Sequence, residues 1–108
     1  MSNSKKFNKI TIAAAANKVF GLNGFATDNG TIFDGLQSCT VHTVEITSAG
    51  AATATITFNM GGGYGSAQTL TLGAAGTISQ PYYMPGCVAI KIAIATTDCT
   101  VIVDSREV

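Results

Sequence analysis

Apolar and polar residues alternate with a period of two along several short runs of this chain, and that alternation leaves few folds open. Through Ala51 to Met60, the residues Ala52, Ala54, Ile56, Phe58 and Met60 fall on one face, and Thr53, Thr55, Thr57 and Asn59 on the other. Successive side chains of a strand point to opposite sides, so the run predicts one buried face and one wet face. Thr40 to Ser48 reads the same way, with Val44 and Ile46 set against Thr43, Glu45 and Thr47. Near the C-terminus Val88, Ile90, Ile92 and Ile94 alternate with Ala89, Lys91, Ala93 and Ala95, and a further run spans Cys99 to Asp104. A helical period fits none of these segments.

Turn residues divide the runs. Ser48-Ala49-Gly50 lies between two strands and predicts a hairpin there. A loop at Thr96-Thr97 predicts a second hairpin, with Ile94 opposite Cys99, Ile92 opposite Val101 and Ile90 opposite Val103. Weaker strands are read at Phe7–Ile12, Lys18–Leu22, Thr31–Phe33, Gln68–Leu72 and Thr77–Ser79, with turns at Asn23-Gly24 and Asn29-Gly30. The sum is an all-β chain: an antiparallel β-sandwich or jelly roll of about seven or eight short strands in a single domain. Residues 1–9, with Lys5, Lys6 and Lys9, read as a polar N-terminal arm, and residues 10–108 as the β-sandwich domain.

Composition narrows the function. The chain has 108 residues, six basic and six acidic, for a formal net charge of zero. Charged residues make up 11% of it, against roughly 25% in an ordinary soluble domain. Three lysines in the arm are too few for a nucleic-acid partner, which requires clustered basic residues. No apolar run approaches the roughly 20 residues of a membrane span. A surface of Thr, Ser, Asn and Gln loses little on being covered by a neighbour, which favours a subunit of an assembly. The three cysteines, Cys39, Cys87 and Cys99, make a poor disulfide framework and point to synthesis in a reducing compartment. Lys5 and Lys6 followed by Ile10 to Ala16 mimic an export signal, but Asn17-Lys18 stand where small residues would be cleaved.

Catalytic readings fail on spacing. His42 is the single histidine; Cys39 and Glu45 each lie three positions away, which on a strand sets them on the opposite face. Neither a metal site nor a nucleophilic triad assembles from that arrangement. Gly61-Gly62-Gly63-Tyr64-Gly65 has the look of a phosphate loop, yet the strand-like Gln68–Leu72 follows where a helix is required. The chain is therefore read as non-enzymatic, with no metal and no cofactor. Pro81-Tyr82-Tyr83-Met84-Pro85-Gly86 is more informative. Adjacent tyrosines in an extended segment face opposite ways, so one ring packs inward and the other is presented outward. Tyr64, Tyr82 and Tyr83 are the candidate contact residues, because tyrosine supplies contact area at small entropic cost.

The stretches TATITFNMGGGYG, TLTLGAAGT and PYYMPGCVAIKIAIATTDCTVIVD lie within Ala52–Val103, about half of the chain, with the last ending one residue beyond at Asp104. Together they resemble small β-sandwich virion proteins of tailed bacteriophages. That resemblance implies a decoration or cement protein made in the host bacterial cytoplasm and carried on the virion. It also implies a homo-oligomer, trimers being common, packed on a major capsid or other virion protein. The competing expectation is a tail-fibre or carbohydrate-binding sandwich that reads sugars through Tyr64, Tyr82 or Tyr83.

Overall fold

A computed structural model describes residues 5–26, 30–33 and 35–107. Nine strands are present among them: β1 (Lys5–Ile12), β2 (Asn17–Gly21), β3 (Thr31–Ile32), β4 (Val41–Ser48), β5 (Ala52–Asn59), β6 (Gln68–Leu72), β7 (Gly76–Tyr83), β8 (Ala89–Ala95) and β9 (Cys99–Arg106). A 3-10 turn covers Leu36–Ser38. The count is one above the seven or eight expected, and the run read at Thr31–Phe33 shortens to the two-residue β3, which pairs parallel to β2. The strand β1 begins at Lys5, inside the span read as an arm, because Lys5 and Lys6 pair with Arg106 and Ser105 of β9. The rest of that reading, residues 1–4, lies outside the described residues.

The strands form two sheets, ordered β1-β9-β4-β7 and β3-β2-β8-β5-β6. With β3 set aside, the two orders match strand for strand: β1 corresponds to β2, β9 to β8, β4 to β5 and β7 to β6. Each of these pairs is joined by a short connection. The pairs β1–β9, β2–β8, β4–β7 and β5–β6 are all antiparallel and nest inside one another. A long antiparallel ribbon rolled until β9 meets β4 and β8 meets β5 has this topology, that of a jelly roll.

Both hairpins expected at Ser48-Ala49-Gly50 and Thr96-Thr97 are corrected by this arrangement. At each place the chain arches from one sheet to the other, so β4 and β5, like β8 and β9, belong to different sheets. Ile92 pairs with Ile56 and Lys18, and Val101 with Ile46 and Ile10. The apolar rows themselves are placed as expected, since Ile90, Ile92, Ile94, Cys99, Val101 and Val103 are all buried. Alternation specifies which side chains leave water. It is silent on whether the next strand lies beside or opposite. An arch sets two apolar rows face to face, and each buries the other; a hairpin would leave both needing a second layer.

Hydrogen bonds stitch the arches together at one end of the sandwich. Thr97 Oγ1 donates to the Ala51 carbonyl at 2.7 Å, and Ser48 Oγ donates to that of Asp98 at 3.3 Å. The Ala14 amide donates to the Asp98 carboxylate at 2.8 Å, tying in the β1–β2 turn. The core between the sheets holds Ile12, Phe20, Leu36, Val44, Ile46, Ile56, Ile90 and Ile92, all fully buried.

Candidate functional site

The end opposite these turns carries the longer connections. Register places Gly21, Ala89 and Asn59 in one row of the five-stranded sheet, and Val41, Tyr83 and Arg106 in one row of the other. Contacts of the Phe58 ring with His42 at 6.1 Å and Tyr82 at 5.4 Å bring the two sheets together there. The 22–40 connection is anchored by Phe33 N–H to the Gly21 carbonyl and by Thr40 N–H to that of Arg106, both 2.7 Å. Met84 N–H reaches the Thr40 carbonyl at 2.9 Å, and Val88 N–H that of Asn59 at 2.8 Å. Around the glycine tip, Asn59 Oδ1 accepts from the amides of Gly61 and Gly63 at 2.8 and 3.2 Å. This is the geometry of a side-chain-capped loop, and a strand follows it.

Phe25, Ile32, Met60, Tyr64 and Tyr83 are the large apolar side chains exposed among the described residues, and all five belong to this end. Ile32 is 55% and Tyr83 71% open to solvent. The three tyrosines singled out from the sequence are all here, but they do not form one platform. Tyr82 points inward on the row of His42 and Ser105 and packs on the core, where burial pushes its phenol above the usual 10. Tyr83 points out from the four-stranded sheet on the row of Val41. Tyr64, beside Asn59 in an isolated bridge, lies on the outer side of the five-stranded sheet, with Lys91 Nζ 5.7 Å from its ring centre. Thr55, Thr57, Tyr64, Lys91 and Ala93 line a shallow depression of about 300 Å³ there.

His42 and Ser105 sit directly opposite one another on β4 and β9 and are fully buried. His42 Nε2 lies 3.0 Å from the Met84 carbonyl, which can only accept, so this nitrogen carries the proton. Nδ1 then accepts from the Ser105 hydroxyl at 2.7 Å. Burial holds the imidazole below its usual 6.5, with the Met84 carbonyl acting weakly the other way. Glu45 shares the outward row of Ile102, on the opposite face. The pair fastens β4, β9 and the 84–88 connection together and offers no accessible nucleophile. Cys39, Cys87 and Cys99 are likewise buried, and burial pushes the Cys87 thiol up to about 11.

Lys91, Met60, Phe25 and Ile32 were not among the residues singled out from the sequence. Lys91 carries a legible signal, a lone charge in an otherwise apolar alternating run. Phe25 and Ile32 carry a weaker one, bulky apolar residues beside turn residues, whereas Met60, read on the buried face of the Ala51–Met60 run, lies just past the end of β5 and is 47% open to solvent.

No family model and no curated protein matches the chain. Among solved structures, it is similar to a carbohydrate binding module from glycoside hydrolase family 9 (Cel9A) of Ruminococcus flavefaciens FD-1. The two share 13% identity at a TM-score of 0.54, over 97% of this chain and 100% of that one. The PRD1 vertex protein aligns at 14% identity and a TM-score of 0.48, over 97% and 73% of the respective chains. At these identities the likeness is one of fold, and the chain is an antiparallel two-sheet β-sandwich.

Proposed function

We propose that this chain is a non-enzymatic structural subunit of a virion, which self-associates and packs on neighbouring capsid subunits as decoration or cement. The observation that carries the reading is the collection of five exposed large apolar side chains at one end of a charge-poor sandwich. Exposed bulky side chains are the anchors of contact regions, and those such as Tyr83 and Met60 gain most from being covered. The resemblance of Ala52–Val103 to tailed-phage virion proteins supports the same role, with synthesis in the host cytoplasm. Light scattering of the purified chain at micromolar concentration tests it. The wild type should form a homo-oligomer, and Met60→Ser combined with Tyr83→Ser should release monomers. A wild-type monomer would contradict the proposal.

A second reading is supported by a different observation, the Tyr64 ring beside a threonine-lined depression on the outer face of the five-stranded sheet. There the chain acts as a carbohydrate-binding module. A glycan array probed with wild type and Tyr64→Ala tests this; binding that survives the substitution, or a blank array, counts against it.

A further inference from the structure

The outer face of the five-stranded sheet can be laid out row by row from the strand register. Val19, Lys91 and Thr57 form one row. Asn17, Ala93, Thr55 and Thr69 form the next, and Ala95, Thr53 and Thr71 a third. Lys91 is the one charged residue in these rows, since Lys18 shares the inward row of Ile92. Its ammonium lies over the Tyr64 ring, and no described carboxylate comes within ion-pairing distance of it. Glu45 and Asp104 face outward from the other sheet, and Asp98 is held at the opposite end by the Ala14 amide.

From this we propose that the depression bounded by Thr55, Thr57, Tyr64, Lys91 and Ala93 binds a carboxylated sugar unit of the uronic-acid class. The inference rests on the carbohydrate-binding reading and names the ligand class for that surface. Three chemistries converge there. Lys91 supplies a cation for the carboxylate, with no described carboxylate paired to it. Thr55 and Thr57 supply hydroxyls, each a donor and an acceptor, on side chains whose branching at Cβ holds them in place. The Tyr64 ring, the Ala93 methyl and the threonine methyls supply an apolar floor for the C–H face of a pyranose. The volume of about 300 Å³ is at the small end of ligand sites. A peptide finds less to hold, because the backbone groups of β8 and β5, which floor the depression, are spent on neighbours to either side. A neutral sugar leaves the cation unused.

Calorimetric and NMR titration of the full chain with trigalacturonate, and with the same trimer fully methyl-esterified, tests the proposal. The acid should bind more tightly than the ester, with amide shifts centred on Thr55, Thr57, Tyr64 and Ala93, and added salt should weaken it. Lys91→Gln should reduce affinity for the acid about three- to tenfold and by more than for the ester, so that the gap between the two trimers narrows. Lys91→Arg should retain the preference. Equal affinity for acid and ester, with Lys91→Gln silent, would overturn the acidic specificity and leave sugar binding standing. Absence of binding by both trimers would overturn the sugar reading with it.

Discussion

His42 offers a perturbation whose size can be worked out beforehand. Its imidazole is neutral and fully buried between Ser105, Met84, Phe58 and Tyr82, with no described carboxylate facing it. Its folded-state pKa lies below 6.5, so between those two values the unfolded chain binds a proton that the folded chain refuses. Stability from this group is complete above pH 6.5 and is lost as pH falls through the folded-state pKa. Within that window one proton corresponds to a slope of about 1.4 kcal/mol per pH unit. Because the chain has a single histidine, the slope can be assigned to one residue. Urea unfolding from pH 5 to 8 on wild type and His42→Gln measures it. The Gln amide can still donate to Met84 and accept from Ser105 but takes up no proton. The difference between the two proteins should shrink as the pH falls below 6.5 and level off above it. Identical profiles, or a wild type that gains stability on acidification relative to the variant, would refute the reasoning.

Other outcomes follow from backbone and burial. A Cβ added at Gly21 would lie 3.1 Å from the Ala89 Cβ and the Phe25 carbonyl carbon and 3.2 Å from the Ala26 nitrogen. Gly21→Ala should therefore cost about 1–3 kcal/mol in denaturant unfolding; a neutral result would mean the 22–26 segment does not pack there. Thr96 holds φ at 84°, unfavourable for a β-branched residue. Thr96→Gly should stabilise by about 0.5–1 kcal/mol, the relief of that strain exceeding the added entropy of the unfolded chain; a lower melting temperature would contradict this. The buried thiols of Cys39, Cys87 and Cys99 should resist an aromatic disulfide reagent in the native protein and react fully in denaturant. Rapid native labelling would show that one of them is accessible.

Much of the fold is legible in the chain, and the part that is not has a definite cause. Period-two alternation correctly assigns Ile56, Phe58, Ile90, Ile92, Val101 and Val103 to the interior, because burial acts on each strand separately. Pairing depends on where the chain goes after each turn, and residues 49–51 and 96–98 suit a hairpin as well as an arch by composition. The difference arises from contacts such as Thr97 with Ala51, between residues far apart in sequence. The opposed directions of Tyr82 and Tyr83 are readable from adjacency alone. The placing of Tyr64 beside Lys91, and the collection of Phe25, Ile32 and Met60 at the same end, exist only once the ribbon is rolled.

Placement of the open threonine face and of the apolar loop end both depend on connected strands lying across the core from one another. Cross-strand Hα–Hα and amide contacts in solution NMR report this pairing without intermediaries. Such contacts should join Ile92 to its neighbours on β5 and β2, and Val101 to those on β4 and β1. Backbone contacts running directly between Ile92 and Val101 would mean that β8 and β9 are hairpin partners in one sheet, and the rolled arrangement would have to be abandoned.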